Sequence, residues 1–485
     1  MFFCLMTLLA TGKELWNKNL FWIILGFSLI VRLLYLLRNN PLWWDSHVYI
    51  SMGKYLFSHG QLGFWESFRP LIHPFLLGLF WKMGFSPVVI GKILDMIFSL
   101  IAVGLVYIIT KRIWNHSIAA MAAVIFSLTP FFIIFTGILL ADPLALMFGL
   151  LGILFLLEKP TLPRYAMSGF FLALSFLTRF PQGIWFAVGG ILIILRHTNW
   201  ITKIKNSFAY LMGFVIPIIP YLLLNYSFYQ DPFIPFTAGS WIVTTSTWLY
   251  GSGISFYVTH FFLTNPLFLF FFGYIFLFIK EKLWKNNAHI FVLGIIALTF
   301  IYFLTVPRKE VRYLATALPF LAMSVGYTLV TLYHQLMQSK KPLVTPRFFI
   351  VLCLLLFILP MPPQLHLERP PQFTNEIKDA ILASPSAALV LASNPEYISF
   401  LDQKTETFDG LDYALTIYQQ NEKKYQLLLI NDCDFPCALG DALCEEQKQQ
   451  FLMLVREENK EIFKKEYIFK EQTCTFQMLT PQNDS

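Results

Sequence analysis

Long runs of apolar residues recur along most of the chain, and short polar stretches separate them. A helix needs about 20 mostly apolar residues to cross the hydrocarbon layer of a membrane. On this criterion the pattern predicts about eleven transmembrane helices within residues 1–360. The predicted spans are Leu20–Leu37, Val89–Thr110, Ile118–Phe135, Ile138–Leu157, Tyr165–Leu177, Gly183–Leu195, Phe208–Leu224, Phe261–Ile279, His289–Leu304, Tyr313–Leu332 and Phe348–Leu359.

The loop between the first two predicted spans, residues 38–87, contains a further apolar stretch, Leu71–Leu79. This stretch is too short to cross the membrane and is predicted to be a helix that lies in the interface. We therefore treat residues 38–87 as a structured outer loop of the membrane domain.

The pattern changes near the C-terminus, where the long apolar runs end. Short segments that are typical of strands alternate along the chain with segments that are typical of helices. We predict a small α/β domain over residues 371–485. Its predicted strands are Ala388–Ala392, Tyr425–Asn431 and Glu466–Met478, and its predicted helices include Glu376–Ala383 and Asp441–Glu457.

Composition supports the membrane assignment. The chain has 485 residues, of which 56% are hydrophobic and 13% charged, and its mean hydropathy is +0.59. A soluble chain needs more polar surface than this. Lysine and arginine are concentrated in alternate loops, which predicts a cytoplasmic N-terminus. The loop 38–87, which follows the first span, is then extracytoplasmic. An odd number of spans makes the α/β domain extracytoplasmic as well. We find no basic, aromatic-rich patch, and we expect no nucleic-acid partner.

Four of the six cysteines, Cys433, Cys437, Cys444 and Cys474, fall in the predicted α/β domain. An even cluster on a non-cytoplasmic side predicts one or two disulfides. Free thiols and a zinc site are the alternatives. The separations of four and seven residues do not match paired CxxC ligands.

Charged and polar residues from distant parts of the chain are predicted to meet at the outer face. Carboxylates gathered with arginines suit a reaction in which an acidic group takes a proton and cations stabilise a phosphate leaving group. A proton-coupled transporter would place its charges at the membrane midplane. The residues concerned are Asp45, His47, Tyr49, Glu66, Arg69, His73, Asp142, Arg179, Arg308, Glu310 and Arg312.

The order of these motifs resembles a known group of proteins. The run PLWWDSHVYISMGKYLFSHGQLGFWESFRPLIHP is followed by TKRIWNHS and then by TPFFIIFTGILLADPLALMFGLLG. LTRFPQG, NYSFYQDPFIPF and PRKEVRYLATALP come later. This arrangement resembles the dolichyl-phosphate-mannose-protein mannosyltransferases and the related lipid A aminoarabinose transferases, which are GT-C glycosyltransferases. The resemblance is strongest over Pro41–Leu157.

The resemblance implies a GT-C fold and an inverting reaction. A polyprenyl phosphate carries one sugar, and its phosphate lies at the outer interface. An acceptor hydroxyl attacks the anomeric carbon from the face opposite the phosphate. The partners implied are therefore a polyprenyl-phosphate-sugar donor, a protein, lipid or glycan acceptor, and the bilayer itself.

Individual residues match family positions. Asp45 matches the first-loop aspartate and is the candidate general base or acceptor-orienting carboxylate. Tyr49, four residues on, matches a tyrosine that approaches the donor phosphate. Arg69 occupies a basic position whose guanidinium can hold two phosphate oxygens. Asp142 matches a second carboxylate that binds a metal or the sugar. A divalent cation is thus a candidate cofactor, with Asp45 and Asp142 as its candidate ligands.

Structural alternatives accompany several of these assignments. Asp142 precedes Pro143 and suits a helix start equally well. Arg179, Arg308 and Arg312 are candidates for phosphate binding or for anchoring at lipid headgroups. Glu310 lies between the last two and is a candidate acceptor or metal residue.

The first outer loop departs from the family pattern. Many relatives follow the first aspartate with glutamate, whereas this chain has Ser46, which weakens a strict protein-mannosylating assignment. Glu66 is a candidate for the missing carboxylate, and a solvated loop residue is its alternative. His47 and His73 are candidate metal or acceptor residues, with a hydrogen-bonded structural role as the alternative.

We therefore predict a glycosyltransferase that moves one hexose, mannose or another, from a polyprenyl phosphate to an acceptor hydroxyl, with protein serine or threonine as the first candidate. A transferase that modifies a glycolipid or growing glycan is the first alternative. A polyprenyl-linked sugar flippase or transporter is the second.

Overall fold

The computed structural model describes residues 14–38, 40–244, 251–339, 345–368, 371–383, 389–408, 410–421, 424–438 and 440–482. They form two compact units. The helical unit draws its residues from Met1–Asn39 and Lys92–Leu367. The mixed unit joins Asn40–Gly91 to Glu368–Ser485. Most of the predicted first outer loop therefore groups with the C-terminal residues.

The helical unit contains the long apolar helices, whereas α2, α3 and α17 to α19 belong to the mixed unit. The helices are α1 (Glu14–Leu36), α2 (Trp44–Phe57), α3 (Ile72–Lys82), α4 (Pro87–Ile113), α5 (His116–Leu128), α6 (Pro130–Phe135), α7 (Asp142–Leu157), α8 (Leu162–Thr178), α9 (Gly183–Arg196), α10 (Trp200–Tyr229), α11 (Ile234–Ile242), α12 (Phe270–Lys280), α13 (Asn287–Thr305), α14 (Leu318–Gln338), α15 (Pro346–Ile358), α16 (Met361–Gln364), α17 (Thr374–Ala383), α18 (Leu411–Gln420) and α19 (Ala442–Glu458).

Several helices suit a membrane. Among the described residues, five segments are long and apolar enough to cross one: Asn19–Leu36, Pro87–Ile113, Trp200–Tyr229, Asn287–Thr305 and Arg347–Gln364. Shorter apolar helices cover His116–Leu128, Asp142–Leu157, Phe180–Arg196 and Pro266–Lys280. The chain is thus an integral membrane protein rich in helix. The number of about eleven spans and the side on which each end lies stay predictions.

Two predicted spans are interrupted, and the prediction of single helices there is wrong. Ile118–Phe135 divides into α5 and α6 at Thr129, whose backbone is extended (φ −61°, ψ 125°). Phe261–Ile279 is broken at Asn265 (φ −129°, ψ 70°). In each case the next residue is a proline, and its ring disfavours helical geometry at the residue before it.

A buried arginine lies inside the helical unit. Arg32 on α1 is completely buried. Its Nε donates to Ser99 Oγ on α4 at 2.7 Å, and its Nη1 donates to Ser127 Oγ on α5 at 3.2 Å and to Ser28 Oγ at 2.5 Å. Because a buried charge is costly unless it is hydrogen-bonded, these hydroxyls hold the three helices in one register.

The mixed unit contains a five-stranded sheet in the order β2-β1-β3-β5-β4. β1 is parallel to β2 and to β3, whereas β5 is antiparallel to β3 and to β4. Side chains from β1, β3, β5, α18 and α19 share its hydrophobic core, which includes Leu391, Leu428 and Val455. The strands are β1 (Leu389–Ala392), β2 (Thr405–Thr407), β3 (Tyr425–Asn431), β4 (Asn459–Phe469) and β5 (Gln472–Pro481).

The predicted α/β organisation of these residues is confirmed, with three differences. Strand β2 and helix α18 were not predicted, and Glu466–Met478 is not one strand but parts of the β4–β5 hairpin. Ala388, the predicted start of the first strand, lies outside the described residues. The turn residues of the hairpin, Lys470 and Glu471, both have positive φ. Such turns usually contain asparagine or glycine, so the sequence carried no signal for this one.

The disulfide prediction is confirmed. Cys433 is bonded to Cys474, and Cys437 to Cys444. The first bond links the end of β3 to β5. The zinc and free-thiol alternatives for these four cysteines therefore do not hold.

Candidate active site

The first group of candidate residues begins on α2, the helix formed by WWDSHVY and the residues after it. Ser46 accepts a hydrogen bond from the backbone N–H of Trp43 at 3.2 Å, so it closes the first turn of the helix. Asp45 lies in that same turn, where the helix dipole favours a negative charge. The residue that departs from the family pattern thus has a local structural role.

Arg69 joins both loop carboxylates. Its Nη1 lies 2.8 Å from Asp45 Oδ1, and its Nε lies 2.8 Å from Glu66 Oε2. The Glu66 side chain is only 3% exposed. Glu66 is therefore a buried member of the cluster, and its alternative as a solvated loop residue does not hold. We call these three residues the loop cluster.

The charges of Asp45 and Glu66 favour the protonated form of Arg69. Burial lowers the pKa of Arg69, but the charges of Asp45 and Glu66 outweigh this effect and hold the pKa above its ordinary value. One guanidinium neutralises one of the two carboxylates, so the loop cluster keeps a net negative charge. A carboxylate beside a cation suits a proton acceptor.

Two aromatic side chains border the loop cluster. The Arg69 guanidinium lies 5.7 Å from the ring centroid of Tyr49 and 4.8 Å from that of Phe68. Tyr49 packs edge-on against buried His73, with ring centroids 5.0 Å apart. Tyr49, Arg69 and His73, which the sequence placed in one loop, therefore lie together.

His47 faces a different neighbour. Its Nδ1 lies 2.7 Å from Ser399 Oγ, and both residues are buried. Burial lowers the pKa of His47 to about 3. The imidazole is therefore neutral at ordinary pH, and the contact favours the structural alternative for this residue.

A second group, the helical-unit cluster, begins at Asp142. Asp142 is the first residue of α7, but Ala141 occupies the N-cap position, and the Asp142 carboxylate instead pairs with Arg179 Nη1. Arg179 Nη2 also donates to the backbone oxygen of Arg312 at 3.3 Å. The LTRFPQG turn and the PRKEVR run are thereby connected.

Glu310 lies between two arginines in the same cluster. Arg308 Nη2 is 2.6 Å from Glu310 Oε1, and Arg312 Nε is 3.7 Å from Glu310 Oε2. Tyr313 also donates to Glu310 at 3.3 Å. Three arginines face two carboxylates in the helical-unit cluster, so its net charge is positive.

One residue of this region was missed by the sequence reasoning. Lys309 is buried, and its Nζ donates to the carbonyl oxygens of Phe303 and Leu304 at 2.8 and 2.9 Å and to that of Val306. These carbonyls belong to the end of α13, which lacks intrahelical partners. A lysine shortly after an apolar helix is the signal that could have identified this capping role.

The candidate metal ligands are already paired. Asp45 and Asp142 each form an ion pair with an arginine, which competes with a cation for the same oxygens. Among the described residues, one group of three brings metal-binding atom types together, namely Asp432, Cys433 and Cys474. Its two sulfurs form a disulfide and offer no thiolate. Asp45 and Asp142 stay the candidate ligands, and metal dependence stays a prediction.

About a third of the chain matches a known protein-family model. Residues 68–224 match a family model described as dolichyl-phosphate-mannose-protein mannosyltransferase. This range includes Arg69, Asp142 and Arg179, and it begins after Asp45. No curated protein sequence matches the chain.

Solved structures share the fold over most of the chain. ArnT from Cupriavidus metallidurans bound to undecaprenyl phosphate superposes with a TM-score of 0.61 at 12% identity, covering 95% of this chain and 98% of that one. The Archaeoglobus fulgidus oligosaccharyltransferase in the apo form gives 0.59 at 9% identity, covering 87% and 70%. AglB from the same organism, in complex with an inhibitory peptide and a dolichol-phosphate, gives 0.56 at 11% identity, covering 98% and 75%. The predicted resemblance to GT-C glycosyltransferases is thereby confirmed in the fold.

Proposed function

We propose, from this shared fold, that the chain is an inverting membrane glycosyltransferase that moves one sugar from a polyprenyl phosphate to an acceptor hydroxyl. The relatives of known structure bound to undecaprenyl phosphate or dolichol-phosphate support this donor class. The observation that carries the proposal is the loop cluster, in which two carboxylates share one guanidinium. A carboxylate in such a cluster can accept a proton during the reaction.

In the proposed reaction the acceptor oxygen forms a bond to the anomeric carbon. The bond from that carbon to the phosphate oxygen breaks, and the polyprenyl phosphate leaves with the electron pair. Asp45 takes the proton of the acceptor hydroxyl as the new bond forms. Arg69 orients Asp45 and provides further N–H donors for a phosphate oxygen, since a guanidinium has five. Tyr49 is placed beside this guanidinium.

We propose that the helical-unit cluster binds a phosphate through its positive charge. Its surplus guanidinium charge suits a phosphate, because arginine can hold two phosphate oxygens at once. Arg308 and Arg312 are also proposed to bind phosphate, and Glu310 pairs with both of them. Asp142, fixed by Arg179, is proposed as the second carboxylate, which contacts the sugar.

For the acceptor we propose a protein serine or threonine and for the sugar a hexose, mannose first. The family description for residues 68–224 supports this choice. Ser46, in place of the usual second acidic residue, supports the alternative of a glycolipid or a growing glycan.

The test is a transfer assay on the purified full-length protein in detergent. Labelled polyprenyl-phosphate mannose is the donor, with a labelled nucleotide sugar in a parallel reaction, and label is sought in protein, lipid and free glycan. We expect transfer from the lipid donor only. Label in lipid or glycan would favour the alternative acceptor, whereas no new glycosidic bond from any donor would favour a flippase. Repeating the assay with a chelator tests the metal prediction.

A further inference from the structure

Helix α2 presents two opposite faces. Asp45 and Tyr49 are four residues apart and share one face, whereas His47 and Lys54 are seven apart and share another. At about 100° per residue, Asp45 and His47 point about 200° apart around the helix axis. The first face carries the proposed chemistry. The second face carries buried polar groups that the proposed reaction does not use.

A short segment of the C-terminal part of the mixed unit binds this second face. Ser399 contacts His47 Nδ1 at 2.7 Å. Two turns further along α2, Lys54 Nζ donates to the backbone oxygen of Leu401 at 2.8 Å and lies 2.9 Å from Asp402 Oδ1. The Lys54 side chain is only 4% exposed. We call residues 399–405 the docking segment.

The docking segment also contacts the residues that follow α2. Trp81 on α3 donates its indole N–H to Asp402 Oδ1 at 3.2 Å. The backbone N–H of Gly63 donates to Gln403 O at 2.8 Å, and that of Thr405 donates to Gly63 O at 3.1 Å. Thr405 then begins β2, an edge strand of the sheet. One continuous segment thus connects α2, α3 and the loop between them to the sheet.

These contacts restrict the rotation of α2 about its own axis. Hydrogen bonds at two positions separated by two turns oppose rotation, and rotation is the motion that would move Asp45 away from Arg69. Both groups are costly to bury. Burial lowers the pKa of Lys54 even though Asp402 opposes the effect, and the buried His47 ring needs a partner for Nδ1 in place of water. An attachment that served only to hold two parts together could have been apolar, whereas directional bonds specify an orientation.

We infer that the docking segment positions Asp45, with His47 and Lys54 as the positioning residues through which it acts. This inference rests on the proposed function, in which Asp45 takes the acceptor proton. A displacement of about 1 Å at such a group is enough to lower turnover by about a hundredfold. The effect should therefore appear in kcat rather than in the KM for the lipid donor.

The test compares His47→Leu with His47→Asn in the full-length protein. The asparagine amide can occupy the place of Nδ1 and retain the bond to Ser399, whereas leucine cannot. We expect His47→Leu to lower kcat at least about tenfold with KM for the lipid donor changed by less than about threefold. His47→Asn should retain kcat to within about threefold.

Matched variants separate positioning from folding. Lys54→Met should lower kcat, whereas Lys464→Met, which removes an exposed pair with Glu466, should not. If His47→Leu does not yield folded protein, Ser399→Ala removes the same bond with the loss of one oxygen. Wild-type transfer with undiminished kcat in Ser399→Ala and Lys54→Met would overturn the inference. A wild type that forms no glycosidic bond would instead overturn the proposed function, and this inference with it.

Discussion

Asp45, Glu66 and Arg69 form a cluster in which each charge depends on the others. Arg69 holds Asp45 and Glu66 at 2.8 Å each, and Glu66 is almost completely buried. Without the guanidinium, two carboxylates would share a poorly solvated place. Substitutions at Asp45 and Arg69 should therefore have different signatures, one in turnover and one in pH dependence.

The Asp45→Asn variant tests the proton acceptor. The amide keeps the shape of the side chain but takes no proton. We expect kcat to fall at least about a hundredfold while the affinity for the lipid donor stays within a few-fold. Transfer kinetics and donor-binding measurements check this. Asp231→Asn, at an exposed position whose side chain accepts a backbone N–H bond, is the control and should be close to wild type. Normal turnover in Asp45→Asn would reject the assignment.

The Arg69→Met variant tests the cation. Its loss disfavours the ionised form of the neighbouring carboxylates, so the acidic limb of the kcat/KM profile should move to higher pH. Arg69→Lys retains the charge and should shift the limb less, although it cannot make both bonds with the same geometry. Profiles measured from pH 5 to 9 distinguish the three proteins. An unshifted acidic limb in Arg69→Met would contradict this account.

The α2–α3 hairpin depends on a close approach of two glycines. A Cβ on Gly53 would lie 2.7 Å from the backbone nitrogen of Gly78, and a Cβ on Gly78 would overlap Gly53 O. Neither backbone atom can move without moving its helix. The two helices that carry Tyr49 and His73 can therefore pack this closely only because both positions lack side chains.

The Gly53→Ala variant tests the close approach of α2 and α3, because the sign of its effect on stability differs from that expected in an ordinary helix. In an ordinary helix this change stabilises by about 1 kcal/mol. At Gly53 we expect destabilisation, because separating the two helices costs about 1–3 kcal/mol. Gly26→Ala on α1, where a Cβ meets nothing within 4 Å, is the control and should be neutral or stabilising. Thermal unfolding in detergent compares the pair. Stabilisation by Gly53→Ala would contradict the close approach.

The mixed unit combines residues from both ends of the sequence and is held by covalent and polar links. The Cys433–Cys474 bond closes a separation of 41 residues. Near it, Asp434 accepts hydrogen bonds from Ser393 Oγ at 2.5 Å and Asn394 Nδ2 at 3.2 Å. Burial raises the pKa of Asp434 to about 6, although these hydrogen bonds oppose the effect. The stability of this unit should therefore depend on pH in a particular direction.

A carboxyl whose pKa is higher in the folded state stabilises that state below its unfolded pKa, which is 3.8, and this contribution is lost as the pH rises through about 6. Asp434→Asn cannot titrate. We expect its melting temperature, relative to wild type, to increase as the pH rises from about 4 to about 6. Asp441→Asn, at an exposed helix N-cap where asparagine serves equally well, should show no such trend. A constant difference between Asp434→Asn and wild type across this range would contradict the raised pKa.

Much of the architecture was accessible from local patterns. Apolar length predicted the five segments that are long enough to cross a membrane, a short apolar run predicted Tyr425–Asn431 with its observed bounds, and cysteine number predicted disulfides. These features depend on composition or on residues that are close in sequence, so a single amino-acid sequence is enough to predict them. The elements that were missed, such as β2 and the Lys470–Glu471 turn, have no strong local preference.

The candidate site shows the same division. Asp45, Glu66 and Arg69 were identified by residue type and order, since a proton acceptor and a phosphate-binding cation require particular functional groups. Their pairing was decided by the fold, as was the attachment of His47 to Ser399, which is 352 residues away. Helical periodicity places Asp45 and His47 on opposite faces, but it does not specify what each face meets. That depends on which distant segments pack together, because burial and hydrogen-bond partners are properties of the folded chain.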